Sequence, residues 1–123
     1  MKILIADDND RMRQLLRSLC AASADTVIEC ADGSAAVSAF EAHQPDWVIL
    51  DLAMPVLGGF EALKQIRQLA PDARVVIVTN HTDPGFRERA LQLGATDFLS
   101  KEDLLRLPQI LRPSPITSTS TPC

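Results

Sequence analysis

The sequence predicts a doubly wound α/β domain: a five-stranded parallel sheet covered by helices on both faces, with a short or irregular last helix. Three observations predict it. Residues 3–6, 47–50 and 75–78 are apolar without alternation, as strands become when helices cover both of their faces. The segments between them carry apolar residues at helical spacing. The connections are short, which favours right-handed crossovers and places ligands at the carboxyl ends of the strands.

The elements follow in order. After the first strand, Met12, Leu15, Leu16, Leu19 and Cys20 fall on one helical stripe behind an Asn9 or Asp10 cap. Residues 26–31 form a weaker strand, and 34–43 a helix with Val37 and Phe40 inward. The 47–50 run ends on Asp51, and 59–69 repeats the helical pattern through Phe60, Leu63 and Ile66. Beyond the 75–78 run and Thr79, residues 84–93 do so through Phe86, Ala90 and Leu93 until Gly94 ends the helix. Residues 96–99 make the fifth strand. Pro108 can start a helix but not continue one, so the last helix is short, and Pro113 and Pro115 stop it. Residues 1–112 are therefore the expected domain. The Ser/Thr/Pro-rich segment 113–123 has nothing to bury and is expected to be a disordered tail.

At 123 residues with 46% hydrophobic content, one packed core is the expectation. Twelve basic and sixteen acidic residues give a net charge of -4 with no basic block, which argues against nucleic-acid or lipid-surface binding. No apolar run reaches the length of a membrane span, and the N-terminus is unlike a secretory signal, so a cytoplasmic protein is expected. Cys20, Cys30 and Cys123 lack a C-x-x-C spacing and read as reduced, mostly buried thiols. No glycine-rich nucleotide loop occurs. Too few residues follow Leu107 for a second core, so the output is expected in another protein or outside this sequence.

The predicted topology brings Asp7 and Asp8, after the first strand, and Asp51, after the third, to one edge of the sheet. Three clustered carboxylates repel one another unless a hard, oxygen-seeking cation lies among them, which points to magnesium or manganese. Thr79 and Lys101 reach the same edge with a hydroxyl and an ammonium that can hold phosphoryl oxygens. A carboxylate nucleophile, a divalent ion, a lysine and a hydroxyl together suit phosphoryl transfer. Singly, each residue reads as a cap, a solvated turn or a β-former; their joint placement carries the chemistry.

These residues resemble those of the response regulator receiver family of two-component signalling, over Lys2 to about Leu107. The resemblance rests on ILIADDND, VILDLAMPVLGG, VVIVTN and FLSK, in the family's order and spacing. It implies a flavodoxin-like strand order 2-1-3-4-5. It also implies that Asp51 is phosphorylated by a histidine kinase or histidine phosphotransfer protein. Magnesium would be bound by Asp8, Asp51 and the Ala53 carbonyl, with Asp7 acting through water. Thr79 and Lys101 would hold phosphoryl oxygens, Thr79 and Phe98 would form the switch, and a downstream protein effector would read the state. For Phe98, core packing accounts for the residue equally well.

Glu102 stands where many members of the family have Pro, implying a less constrained segment after Lys101. Asn80 stands where a small residue is common, beside the phosphoryl position. The short last helix alters the face that many receivers use to dimerise, so a monomer or weak dimer is expected. His81 reads as an exposed loop histidine and His43 as a cation at a helix end. Two other readings compete. A magnesium-dependent aspartyl phosphatase would show D-x-D, whereas Asp51 is followed by Leu52 and Ala53; a phosphoacceptor that does not turn over substrate fits better. An interaction module working without phosphorylation is disfavoured by the complete set of site residues.

Overall fold

The computed structural model describes residues 1–80 and 83–111. Five parallel strands, β1 (Lys2–Ala6), β2 (Thr26–Cys30), β3 (Trp47–Asp51), β4 (Val75–Thr79) and β5 (Asp97–Ser100), lie in the order β2-β1-β3-β4-β5. Helices α1 (Asp10–Cys20), α2 (Gly33–His43), α3 (Gly59–Leu69) and α4 (Pro84–Gln92) connect them. The chain then passes from a 3₁₀ helix (Lys101–Arg106) into α5 (Leu107–Ile110), the short last helix that Pro108 implies. Residues 113–123 and His81 lie outside the described residues.

Alternation along each strand sends successive side chains to opposite faces. Leu4, Val48, Leu50 and Ile77 meet Phe40 of α2, Leu63 and Ile66 of α3 and Ala90 of α4. Ile3, Ile5, Ile49, Val76 and Leu99 meet Leu16 and Cys20 of α1 and Leu104, Leu107 and Leu111 of the last helical segment. Burying each such large side chain contributes about 1.5–3 kcal/mol. Cys20 and Cys30 are free and buried, as expected; burial alone pushes the Cys20 thiol up to about 11. Among the described residues no helix is long and apolar enough to cross a membrane.

Local chemistry sets the element ends and corrects several sequence-based boundaries. Asn9, not Asp10, caps α1, its side chain accepting from Met12 N–H at 2.9 Å. Leu15 leaves the expected apolar stripe and is 45% exposed. Strands β3 and β4 run one residue further than their apolar runs, because Asp51 and Thr79 still share the ladder. The segment after Lys101 is not a loose loop: it enters the 3₁₀ helix directly, with the Ser100 hydroxyl accepting from Glu102 N–H at 3.1 Å.

One turn goes against its residue. Val56, between β3 and α3, has φ 67 and is 82% exposed, while Leu57 N–H reaches back to the Pro55 carbonyl at 2.7 Å. A β-branched side chain in the left-handed region costs roughly 1–2 kcal/mol, and this one has little packing to offset the cost. Val56→Gly should therefore raise stability by about 1 kcal/mol in urea unfolding, part of the gain being lost to the greater freedom of the unfolded chain. An unchanged or lower midpoint would show that the turn stores no strain.

Candidate functional site

Strand register assembles the site. Ala6 pairs with Leu50, so Asp7 and Asp51 are the next residues on neighbouring strands. Asp51 pairs with Val78 and Thr79 with Ser100, which brings Thr79 and then Lys101 to the same carboxyl edge. There Asp8, Asn9, Asp51, Ala53, Thr79, Asn80 and Lys101 line a cavity of about 250 Å³.

Asp7 and Thr79 are fully buried and Asp51 is 5% exposed, whereas Asp8 and Asn80 are exposed. One carboxylate oxygen from each of Asp7, Asp8 and Asp51 lies within 4.8 Å of the others. The Lys101 ammonium stands between the two buried acids, 3.0 Å from Asp7 Oδ2 and 3.5 Å from Asp51 Oδ1. Asp7 Oδ1 accepts from Asn9 N–H at 2.8 Å. Asp7 Oδ2 is buried without a hydrogen bond; its contact with Lys101 is one of charge at close range rather than an aligned bond. A buried carboxylate oxygen left in this way, on one member of a group of three neighbouring carboxylates, suits a hard divalent cation. The residues therefore fit magnesium or manganese.

Burial, and next the charge of Asp7, push the Asp51 carboxyl above its ordinary value; Lys101 and the Ala53 N–H act in the opposite direction but do not prevail. The α3 start holds the Asp51 segment from behind. Gly59 N–H donates to the Leu52 carbonyl at 3.0 Å, and a Cβ on Gly59 would come 2.3 Å from the Asp51 carbonyl oxygen. Only glycine permits that approach. Phe98 is buried among the α2–α4 side of the core and its carbonyl accepts from Arg87 Nη1 at 3.2 Å.

All the acids, the hydroxyl and the lysine singled out in the sequence thus converge, while Phe98 stands apart from them, paired with Ile77 two residues before Thr79 and lining a separate surface pocket with Arg87. Sequence reasoning missed two contributors. Asn9 reads there as a helix cap alone, yet it also lines the cavity and its N–H holds Asp7. Arg13 donates to the Asp7 carbonyl at 2.6 Å; its one visible signal is the spacing from Asp10, which more often marks a solvated ion pair.

Residues 3–112 match the family model for the response regulator receiver domain. The chain belongs to that family. It is 34% identical over 101 residues to the chemotaxis protein CheY of Bacillus subtilis, covering 81% of this chain and 84% of that protein. It is 35% identical over 116 residues to the transcriptional regulatory protein YhcZ of the same species, covering 89% of this chain. The chain spans only 54% of the length of YhcZ. Among solved structures, this receiver resembles the chain in the CheX–CheY–BeF3–Mg complex of Borrelia burgdorferi. There the TM-score is 0.83 and the identity 25%, over 92% of this chain and 90% of that one. It also resembles CheY4 of Vibrio cholerae, with a TM-score of 0.80 and 29% identity over 90% and 98% of the two chains.

The raised carboxyl of Asp51 has a consequence for stability. A carboxyl whose folded value lies above its unfolded value, about 3.9, favours the fold below the unfolded value and loses that contribution as pH rises through the folded one. At neutral pH and without metal, Asp51→Asn should unfold at a higher temperature than the parent chain. The difference should shrink as pH falls below the ordinary carboxylate range. A parent chain as stable as Asp51→Asn at pH 7 in chelator would contradict it.

Proposed function

We propose that this receiver takes a phosphoryl group onto Asp51 from a phosphohistidine of a histidine kinase or histidine phosphotransfer protein, and that the change is read by a downstream protein. The observation that carries the proposal is the bridging of buried Asp7 and Asp51 by Lys101 at the cavity that Thr79 also lines. In the transfer, an Asp51 carboxylate oxygen attacks phosphorus, the P–N bond to the donor imidazole breaks, and the imidazole keeps the electron pair and takes a proton. Asp8, Asp51 and the Ala53 carbonyl would hold a magnesium or manganese ion directly, with Asp7 acting through water. Bound there, the ion supplies neutralising charge for the carboxylates and phosphoryl oxygens. Lys101 would hold one phosphoryl oxygen by full charge and Thr79 another through its hydroxyl.

Residues 1–112 are the proposed functional unit. Phe98 would couple Thr79 to the surface lined by Pro84, Arg87, Ser100, Asp103 and Arg106. The short last helix beside it alters the face available for pairing, which supports a monomer or weak dimer. The chain would act as a phosphoacceptor rather than a turnover enzyme, in the cytoplasm. Membership of a family that includes CheY and transcriptional regulators supports this reading.

Intact-mass analysis tests it: incubation with magnesium and a small phosphodonor should add one phosphoryl group to the parent chain and none to Asp51→Asn. No addition to the parent, or equal addition to both, would overturn the assignment. The lifetime of the product should depend on Ala53, which is exposed at the cavity and offers only a methyl to an incoming water. Ala53→Asn should hasten loss of phosphate in magnesium buffer several-fold, since an amide can hydrogen-bond that water. A decay rate equal to or below the parent's would refute this.

A further inference from the structure

Arg13 takes no part in the transfer, yet its guanidinium binds three separate segments. The side chain is 16% exposed. Its Nη1 donates to the main-chain carbonyl of Asp7 at 2.6 Å. Nη2 donates to the carboxylate of Asp10, at the start of α1. Nε faces Glu29 Oε1 of β2 at 3.4 Å, and Glu29 is steadied in turn by Arg17 Nη1 at 2.7 Å. A planar fork with donors in fixed directions can serve three acceptors at once; an ammonium cannot do so in the same geometry.

The carbonyl of Asp7 and the N–H of Asp8 belong to one rigid peptide plane. Turning that plane turns the Cα of Asp8 and swings its carboxylate. Asp8 is exposed, so packing does not set its direction. The other contacts hold Asp7 itself, through its N–H to the Cys30 carbonyl at 3.1 Å and Oδ2 to Lys101 at 3.0 Å, or the peptide that follows Asp8, through Asn9 N–H to Asp7 Oδ1. Of these contacts, only that of Arg13 grips the peptide plane that precedes Asp8.

We propose that Arg13 is a positioning residue for the metal site: by holding the Asp7 carbonyl it aims the Asp8 carboxylate into the cavity, with Glu29 steadying the fork. The inference rests on the reading of Asp8 as a metal ligand. Its sign separates it from simple electrostatics. A cation beside a cation site repels the incoming ion, so removing the charge alone would tighten binding. Loss of positioning weakens it.

The test is a Mn2+ titration of the full chain freed of metal, with unbound Mn2+ counted by electron paramagnetic resonance and stability measured separately in urea. Arg13→Met removes fork and charge but keeps an apolar stem; Arg13→Lys keeps the charge. Both should weaken Mn2+ binding about tenfold, the lower end of the effect of losing a supporting contact behind a ligand. Glu29→Gln should weaken it less. A purely structural role would lower the urea midpoint and leave the affinity of the folded protein unchanged. Unchanged or tighter Mn2+ binding in folded Arg13→Met overturns the proposal. If that variant does not fold, unchanged affinity in both Arg13→Lys and Glu29→Gln does so. Failure of the parent chain to bind Mn2+, or undiminished binding by Asp8→Asn, would instead sink the metal reading and the inference with it.

Discussion

The central strands of a parallel sheet covered on both faces have only their ends open to water, and the rest of this molecule follows from that constraint. The interiors of β1, β3 and β4 must be apolar, so polar chemistry is pushed to the residues that terminate them. Asp7, Asp51 and Thr79 occupy those terminal positions, and each is nearly as buried as the strand it ends. Lys101 follows the last strand and supplies the positive charge these acids lack. The parallel register then decides which termini are neighbours, without any further instruction from the side chains.

Two acids so buried and so close oppose folding, and the arrangement tolerates them because one ammonium reaches both. Breaking such a cluster by removing the cation leaves uncompensated charge, whereas neutralising an acid relieves it. The site is therefore a place where the fold gives up stability and the surrounding core supplies it. The same logic accounts for the close approach of Gly59 to Asp51, which trades side-chain packing for a short, firmly held connection into α3.

What the sequence displayed was whatever depends on period and strand ends. The unbroken apolar runs located β1, β3 and β4, and the placement of Asp7, Asp8, Asp51, Thr79 and Lys101 at strand ends was enough to bring them together. Pro108 announced the shortened last helix. Other features depend on geometry that no local pattern encodes. Val56 belongs to a residue type that avoids positive φ, so its turn could not be read from its identity. Leu15 fits the helical period of α1, yet it is 45% exposed and outside the packed core, because the period does not say how wide the buried stripe is. Arg13 looks like any charge on a solvated helix face until the carbonyl it binds is seen. The 3₁₀ entry after Lys101 depends on the Ser100 hydroxyl, whose cap is visible only once the backbone direction is known.

The chain's single tryptophan stands at the opposite end of the sheet from this chemistry. Trp47 opens β3 and Asp51 closes it, a separation of roughly 13 Å along the strand. The indole is 4% exposed, with the Arg74 guanidinium 4.8 Å above its ring. Its emission will therefore report the integrity of the sheet and the departure of Arg74 on unfolding, while remaining nearly blind to events among the acids. An optical signal for the site has to be introduced deliberately, near Ala53 or Asn80, and the native fluorescence then serves as an internal gauge of whether the protein is still folded.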